Sequence, residues 1–97
     1  MKRKLLVGSE LRAYNYKHSK QRAKERYDIS LTKSNYDTLC KRIKAGQFVF
    51  ILKKEKQKRG TQLTCQLRFK EQNIYVVYLV ETSSITTFLP CESFENL

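Results

Sequence analysis

The chain is poor in the residues that most enzyme sites and metal sites need. It has one histidine, three cysteines, three glycines and one proline, and no tryptophan. Three isolated glycines exclude a phosphate-binding glycine loop. Cys40, Cys65 and Cys91 are odd in number and far apart, which indicates neither a zinc site nor a disulfide framework. We therefore expect no metal and no cofactor, and we expect buried free thiols at Cys40 and Cys65.

Long apolar runs are also missing. The basic start at residues 1–4 is followed by only three apolar residues before Gly8, which is too short for a secretory signal peptide. No other segment approaches the length that crosses a bilayer. The sequence thus predicts no membrane association and a protein that is made, and acts, in the cytosol.

Acidic residues are scarce relative to basic ones. The chain has 20 Lys or Arg against 9 Asp or Glu, a net charge of +11. The excess lies in residues 1–59, whereas residues 60–97 are slightly acidic. Such a charge favours nucleic-acid phosphates, an anionic membrane surface or an acidic protein partner, and charge alone does not choose among them. A solvated basic face with no partner is the plain alternative.

The length of the chain fits one domain with a small core. Residues 1–14 show no clean period and predict an N-terminal arm, residues 15–90 the folded core, and residues 91–97 a tail. Helical spacing predicts a first helix over residues 16–27, with Tyr16, Ala23 and Tyr27 facing inward and His18 and Arg22 on the other side.

The second helix has clearer boundaries. Thr32 is a good N-cap and Gly46 is placed to end the helix. The apolar residues between them recur at helical spacing, at Tyr36, Leu39, Cys40 and Ile43.

Four strands are predicted after the helices. Residues 48–52 are an unbroken apolar run and predict a strand covered on at least part of both faces. Residues 61–70 alternate and predict a half-buried strand, and residues 74–80 and 85–89 are β-branched and aromatic runs separated by turns. The order predicts an α+β fold: two helices packed on one face of a four-stranded antiparallel meander.

His18 is the first candidate for chemistry. A single imidazole one helical turn from the Arg22 guanidinium, on a body that attracts polyanions, is a minimal set of groups for cleaving a phosphodiester without metal. The same run, residues 18–26, is also typical of an ordinary basic helix face.

Three strand residues are further candidates. Arg68 lies on the polar face of its strand, where a guanidinium can bind a phosphate in a bidentate manner, although a solvent-facing arginine is the commoner case. Both faces of residues 74–80 carry a tyrosine, so parity does not say whether Tyr75 or Tyr78 is exposed. Thr86 and Thr87 are predicted to project to opposite faces, so one hydroxyl must lie on the open side of the sheet.

Residues 53–59 predict a basic loop that binds the backbone phosphates of a nucleic acid without contacting its bases. A charged hairpin loop that is merely solvated is an equally good interpretation. The basic residues of this segment are Lys53, Lys54, Lys56, Lys58 and Arg59.

The order of these pieces resembles a family. The segments are residues 18–32, 66–69, 75–78 and 85–90, and the motifs in them are H-x-x-x-R-x-x-E-R-Y, R-[YF], V-V-Y and I-x-T-x-L-P. They resemble small phage and bacterial proteins of the barnase, EndoU, colicin and RelE group of metal-independent, toxin-like ribonucleases. One departure is Leu79, where related sequences often carry an acidic residue.

The resemblance implies a RelE- or barnase-like cleft on an antiparallel sheet. It implies His18 as general acid or base, Arg22 and Arg68 on the scissile phosphate, Tyr78 and Thr87 completing the site, and Arg26 on a neighbouring phosphate. The expected activity is endoribonuclease cleavage by attack of the ribose 2′-hydroxyl, leaving a cyclic phosphate. The alternatives are a non-catalytic RNA- or DNA-binding module, and an interaction protein that docks an acidic partner such as an antitoxin or immunity protein.

Overall fold

Two helices precede a four-stranded antiparallel sheet. The computed structural model describes residues 8–47, 49–58 and 60–90. The strands follow one another in space in the order β1-β2-β3-β4, so the predicted α+β meander is confirmed. The elements are α1 (Gly8–Tyr27), α2 (Lys33–Ala45), β1 (Val49–Gln57), β2 (Gly60–Phe69), β3 (Gln72–Leu79) and β4 (Ser84–Leu89).

Helix α2 begins and ends where its capping residues predict. The Thr32 hydroxyl accepts from the Asn35 backbone N–H at 3.0 Å, and the Asn35 side chain accepts from the Thr32 N–H, which forms a capping box. Gly46 ends the helix in the left-handed conformation at φ 70°. The four predicted apolar positions of α2 are all buried.

Helix α1 is longer than predicted, because residues 8–14 are helical rather than an arm. The reason is a tertiary contact that has no signal in the local sequence. The Arg12 guanidinium lies 3.1 Å from the Asp37 carboxylate, 5.6 Å from the Tyr36 ring and 2.7 Å from the Ser83 carbonyl oxygen. The rest of the predicted arm, residues 1–7, lies outside the described residues, as does the predicted tail at residues 91–97.

One face of the sheet is covered. The predicted apolar face of β2 packs into the core, with Cys65 and Leu67 fully buried. Thr86 is an extra residue in β4, since the register shifts between the pairs Val77–Thr87 and Tyr78–Ile85. This bulge lets Ile85 and Phe88, three residues apart, both reach the core. The remaining core side chains come from α1, α2, β3 and the link between the helices: Ala23, Tyr27, Ile29, Leu31, Tyr36, Leu39, Cys40, Ile43, Ile74, Val76 and Tyr78.

Helix α1 lies along the outer edge of β4 and satisfies its backbone groups. The Tyr36 hydroxyl from α2 and the Ser19 hydroxyl donate to the Ile85 carbonyl at 2.5 and 3.4 Å. The Tyr27 hydroxyl donates to the Leu89 carbonyl at 2.5 Å and accepts from a backbone N–H of β3. Because the carbonyls of an edge strand would otherwise be open to pairing, these bonds both hold α1 in place and protect this edge.

The prediction for β1 is wrong in two respects. The strand is mostly exposed rather than covered on at least part of both faces, and it runs on through residues predicted as a basic loop. Lys53, Lys54 and Lys56 belong to the strand, and Lys58 lies in the turn. The physical reason is that the helices pack at the opposite edge of the sheet, next to β4, so the apolar run of β1 has little of a second layer to enter.

The predicted buried thiols are confirmed for Cys40 and Cys65, which are both free. Burial raises the pKa of the Cys65 thiol from 9.0 to about 11. Among the described residues, no helix has the length and apolar content needed to cross a bilayer.

The raised pKa of Cys65 predicts a loss of stability at high pH. A thiol that ionises more readily in the unfolded chain favours unfolding as the pH rises from its unfolded to its folded pKa. Between pH 9 and 11, Cys65 is expected to remove about 2–3 kcal/mol from the free energy of unfolding. Urea titrations across this range should give a shallower pH dependence for Cys65→Ala than for the wild type. Equal slopes for the two proteins would contradict the prediction.

Candidate nucleic-acid interface

His18 and Arg22 lie on the side of α1 that faces away from α2. The side chains of Asn15, Ser19 and Ala23 are buried against β4, and Tyr16 on one side of them contacts Tyr36 of α2, with ring centroids 5.3 Å apart. Helical geometry puts His18 and Arg22 on the opposite side of that buried stripe. Both are half-buried. Since α2 covers one face of the sheet, these two residues lie towards the edge of the other face.

A tyrosine that the sequence analysis did not single out accompanies the histidine. The rings of Tyr14 and His18 are nearly parallel, at an interplanar angle of 10° with centroids 6.4 Å apart. Tyr14 is 60% exposed, the largest exposure of any described aromatic residue on α1. Tyr14 precedes His18 by one helical turn, but this spacing was not a usable signal, because residues 8–14 have no helical pattern in the sequence.

Arg22 is paired on its own helix. Its Nη1 lies 2.7 Å from the Glu25 carboxylate, and the hydrogen bond from Arg22 lowers the pKa of that carboxyl. Both side chains are more than a third exposed, so the pair is screened by solvent and contributes little to stability. A phosphate can therefore compete with Glu25 for the guanidinium at small cost.

Arg26, predicted to bind a neighbouring phosphate, is used in packing. Its guanidinium donates to the Phe88 carbonyl of β4. The side chain thus helps to hold α1 on the sheet edge, as the hydroxyls of Ser19 and Tyr27 do.

Thr87 lies on the uncovered face of the sheet. It is the cross-strand neighbour of Val77, and its hydroxyl donates to the Phe88 carbonyl at 3.4 Å. The uncovered face is the one opposite the core; its side chains include Lys53, Glu55, Gln62, Thr64, Gln66, Arg68, Val77 and Thr87.

Arg68 shares the uncovered face with Thr87 but lies far from it. Arg68 is opposite Asn73, and Thr87 is opposite Val77, two strands and four residues away. Standard sheet spacing places the two Cα atoms about 16 Å apart. The Arg68 guanidinium also donates to the Glu71 carbonyl at 3.3 Å. The structure therefore does not bring Arg68 to the phosphate that His18 would reach.

Tyr78 is on the covered face. It is 3% exposed, and burial raises the pKa of its hydroxyl. The phenol is within the core and is not available to a ligand on the uncovered face. The alternation of residues in the sequence left open whether Tyr75 or Tyr78 faces the core. The cross-strand pairs of Tyr78 with Leu63 and Ile85 put Tyr78 on the covered face.

The basic residues predicted as one loop divide between two faces. A register shift at Leu52 puts Lys53 and Glu55 on the uncovered face, and Lys54 and Lys56 on the other side of β1. Lys53 is 2.7 Å from the Glu55 carboxylate. Lys58 is exposed in the turn, and Arg59 lies outside the described residues.

A shallow concavity of about 430 Å³ lies on the uncovered face. Its lining includes Lys53, Glu55, Gln62, Thr64, Val77 and Leu89. Apolar side chains, including Leu52, Val77 and Leu89, form most of the lining, and the amide, hydroxyl and ammonium groups among them are donors that suit phosphate and sugar oxygens. The concavity is separated from His18 by the β4 strand.

Within residues 8–47, 49–58 and 60–90, no three His, Cys, Asp or Glu side chains converge so as to hold a metal ion. Comparisons of the chain with protein-family models, with curated proteins and with solved structures found no match. The resemblance to the barnase, EndoU, colicin and RelE group stays a prediction.

Proposed function

We propose that this protein is a metal-independent endoribonuclease that binds RNA across the uncovered face of the sheet and cleaves it beside α1. The observation that carries the proposal is the placement of His18 and Arg22, one turn apart, on the side of α1 away from α2 and next to the strand that carries Thr87. In this proposal the His18 imidazole supplies proton transfer, the Arg22 guanidinium a cation and Thr87 a hydroxyl, at one border of the uncovered face.

The reaction is an in-line attack of the ribose 2′-oxygen on the adjacent phosphorus. The 2′-oxygen loses its proton and forms the new P–O bond, while the P–O5′ bond breaks and the leaving oxygen gains a proton. The products are a 2′,3′-cyclic phosphate and a 5′-hydroxyl. His18 carries one of the two proton transfers and water the other, and Arg22 and Thr87 stabilise the charge that develops on the phosphoryl oxygens.

The remaining predicted residues take revised roles. Arg68 and Lys53 bind phosphates along the strand of RNA, at a distance from the cleaved bond. The exposed Tyr14 ring is available to stack on a nucleobase next to the cleavage site. Arg26 and Tyr78 act in folding. We further propose that the protein acts in the reducing cytosol, since Cys40 and Cys65 are free thiols.

The second candidate is a module that binds RNA without cleaving it. Two observations favour it: Arg22 is already paired with Glu25, and Arg68 lies about two strand spacings from β4. In that case the same residues contact phosphates only, and the surface is the same.

The location of bound RNA is tested by NMR with a short single-stranded oligonucleotide that lacks the 2′-hydroxyl at every position and therefore cannot be cleaved. We expect amide shifts at Gln66, Val77 and Thr87, ring-proton shifts at His18, and affinity that falls steeply with salt. Shifts confined to α2 and the loop before it would contradict the proposed surface.

A further inference from the structure

β1 is an unprotected edge of the sheet. It pairs only with β2, and among the described residues nothing bonds to its outer backbone groups from another element. The opposite edge, β4, is covered by α1 and by side-chain bonds to its carbonyls. Proteins normally protect edge strands, because a row of open N–H and C=O groups is a template for another strand.

The exposed edge is also apolar near the start of β1. Phe50, Ile51 and Leu52 are 69%, 57% and 41% exposed, three of the five large exposed hydrophobic residues among the described ones. Phe50 lies opposite Gln66 on the uncovered face, whereas Ile51 lies opposite Cys65 on the covered side. Apolar side chains on both faces of a strand are typical of a strand that is covered on both faces, whereas these are open to solvent. A contiguous patch of this kind marks an interaction site.

The charge next to this patch indicates the partner. Lys54 and Lys56 follow on the same side of β1 as Ile51, and neither has an ion-pair partner within the described residues. The single acid of the strand, Glu55, is already paired with Lys53. Two copies of this chain would each bring a net charge of +11, so charge disfavours pairing with a second copy.

We propose that β1 is a docking strand for an extended, acidic segment of a partner protein. The segment adds to the sheet as a fifth strand, with main-chain hydrogen bonds to β1, apolar side chains against Ile51 and carboxylates beside Lys54 and Lys56. This surface is separate from the RNA site, because these three side chains lie on the side of β1 away from the uncovered face.

The test uses three nine-residue peptides, Val-Thr-Val-Thr-Xaa-Thr-Xaa-Thr-Val, in which both Xaa residues are glutamate, glutamine or lysine and share one side of the strand with the valines. Binding is measured by NMR and calorimetry. We expect the glutamate peptide to bind at least tenfold more tightly than the glutamine peptide, the lysine peptide not to bind, and the amide shifts to centre on residues 50–56. Equal affinity of the glutamate and glutamine peptides for the protein would overturn the proposal that the partner segment is acidic.

Two variants separate the β1 edge from the rest of the molecule. Ile51→Thr keeps a β-branched residue and is expected to weaken binding of the glutamate peptide about five- to tenfold. Val80→Thr, at the other exposed apolar β-branched residue of the described part of the chain, is the matched control and should leave it unchanged. RNA binding at the uncovered face should be the same in both, so this proposal and the proposed function can fail separately.

Two other occupants are outcomes of the same experiment. Sedimentation that shows a dimer broken by Ile51→Thr would overturn the proposal and assign the edge to a second copy. Displacement of the glutamate peptide by the oligonucleotide, with RNA shifts on Ile51 and Lys54, would likewise overturn it and assign the edge to nucleic acid.

Discussion

His18→Ala is expected to lower the rate of RNA cleavage by about 10²–10⁴-fold, the range typical for loss of a general acid or base. The reason is that His18 is the only histidine of the chain, and it borders the surface on which we place the RNA. Affinity for the oligonucleotide without 2′-hydroxyls should change by less than about threefold, because phosphate contacts from arginine and lysine supply most of the binding. Single-turnover cleavage and equilibrium binding measure the two effects separately.

The matched control is Lys20→Ala, two residues along α1 and about 200° around it. It removes a full charge from an exposed position on the same helix, so it should reduce cleavage only as much as it reduces binding. If Lys20→Ala and His18→Ala behaved alike, His18 would contribute charge alone and the non-catalytic module would be the better account. Cleavage by His18→Ala at the wild-type rate would remove His18 from the site.

Phe88→Ala is expected to lower the free energy of unfolding by about 3–5 kcal/mol. Phe88 is 0% exposed and packs edge-on against Tyr27, with ring centroids 6.0 Å apart. Its truncation leaves a cavity where α1 meets β4, the contact that positions His18 relative to Thr87. Chemical denaturation measures the loss, and a change below about 1 kcal/mol would show that this contact does not hold α1 in place.

The neighbouring residue provides the comparison. Thr87→Ala is one position away and on the uncovered face, so it should change the free energy of unfolding by less than about 1 kcal/mol. The same substitution should slow RNA cleavage about tenfold if the hydroxyl contacts the reacting phosphate. A stability loss in Thr87→Ala as large as that in Phe88→Ala would contradict the assigned faces of β4.

The parts of the fold that the sequence predicts are those with local signals. The second helix has a hydroxyl N-cap, an apolar stripe at helical spacing and a left-handed glycine, and all three act within one segment. The alternation in β2 fixes which face is buried, because a strand has a period of two. Short turns between successive strands favour a meander over other topologies.

The failures involve contacts distant in sequence. An apolar run such as residues 49–52 has the same pattern in a central strand as in an edge strand, and only the topology shows that β1 has one neighbour. The early start of α1 depends on the Arg12–Asp37 contact, 25 residues apart. The bulges at Leu52 and Thr86 interrupt the alternation of side chains between the two faces of the sheet. For this reason odd and even residue numbers in β1 do not show which face each lysine occupies.

The same distinction between local and distant contacts applies to the candidate site. His18 and Arg22 share a side of α1 because of helical spacing alone, so their proximity was predictable. The family resemblance implied that Arg68 and Thr87 meet at one phosphate; the structure puts both on the uncovered face, but a shared face does not fix the distance within it. The sequence could not assign Tyr78 to either face, because the strand has a tyrosine on both faces. In the structure Tyr78 is buried in the core.

The most direct measurement is the chemistry of the new RNA ends. Wild-type protein is incubated with labelled single-stranded RNA in excess chelator, and the fragments are analysed by mass spectrometry. The account predicts cleavage without added metal, with a 2′,3′-cyclic phosphate on one fragment, a 5′-hydroxyl on the other, and no cleavage where the 2′-hydroxyl is replaced by hydrogen. RNA that is bound and stays intact under these conditions would contradict it.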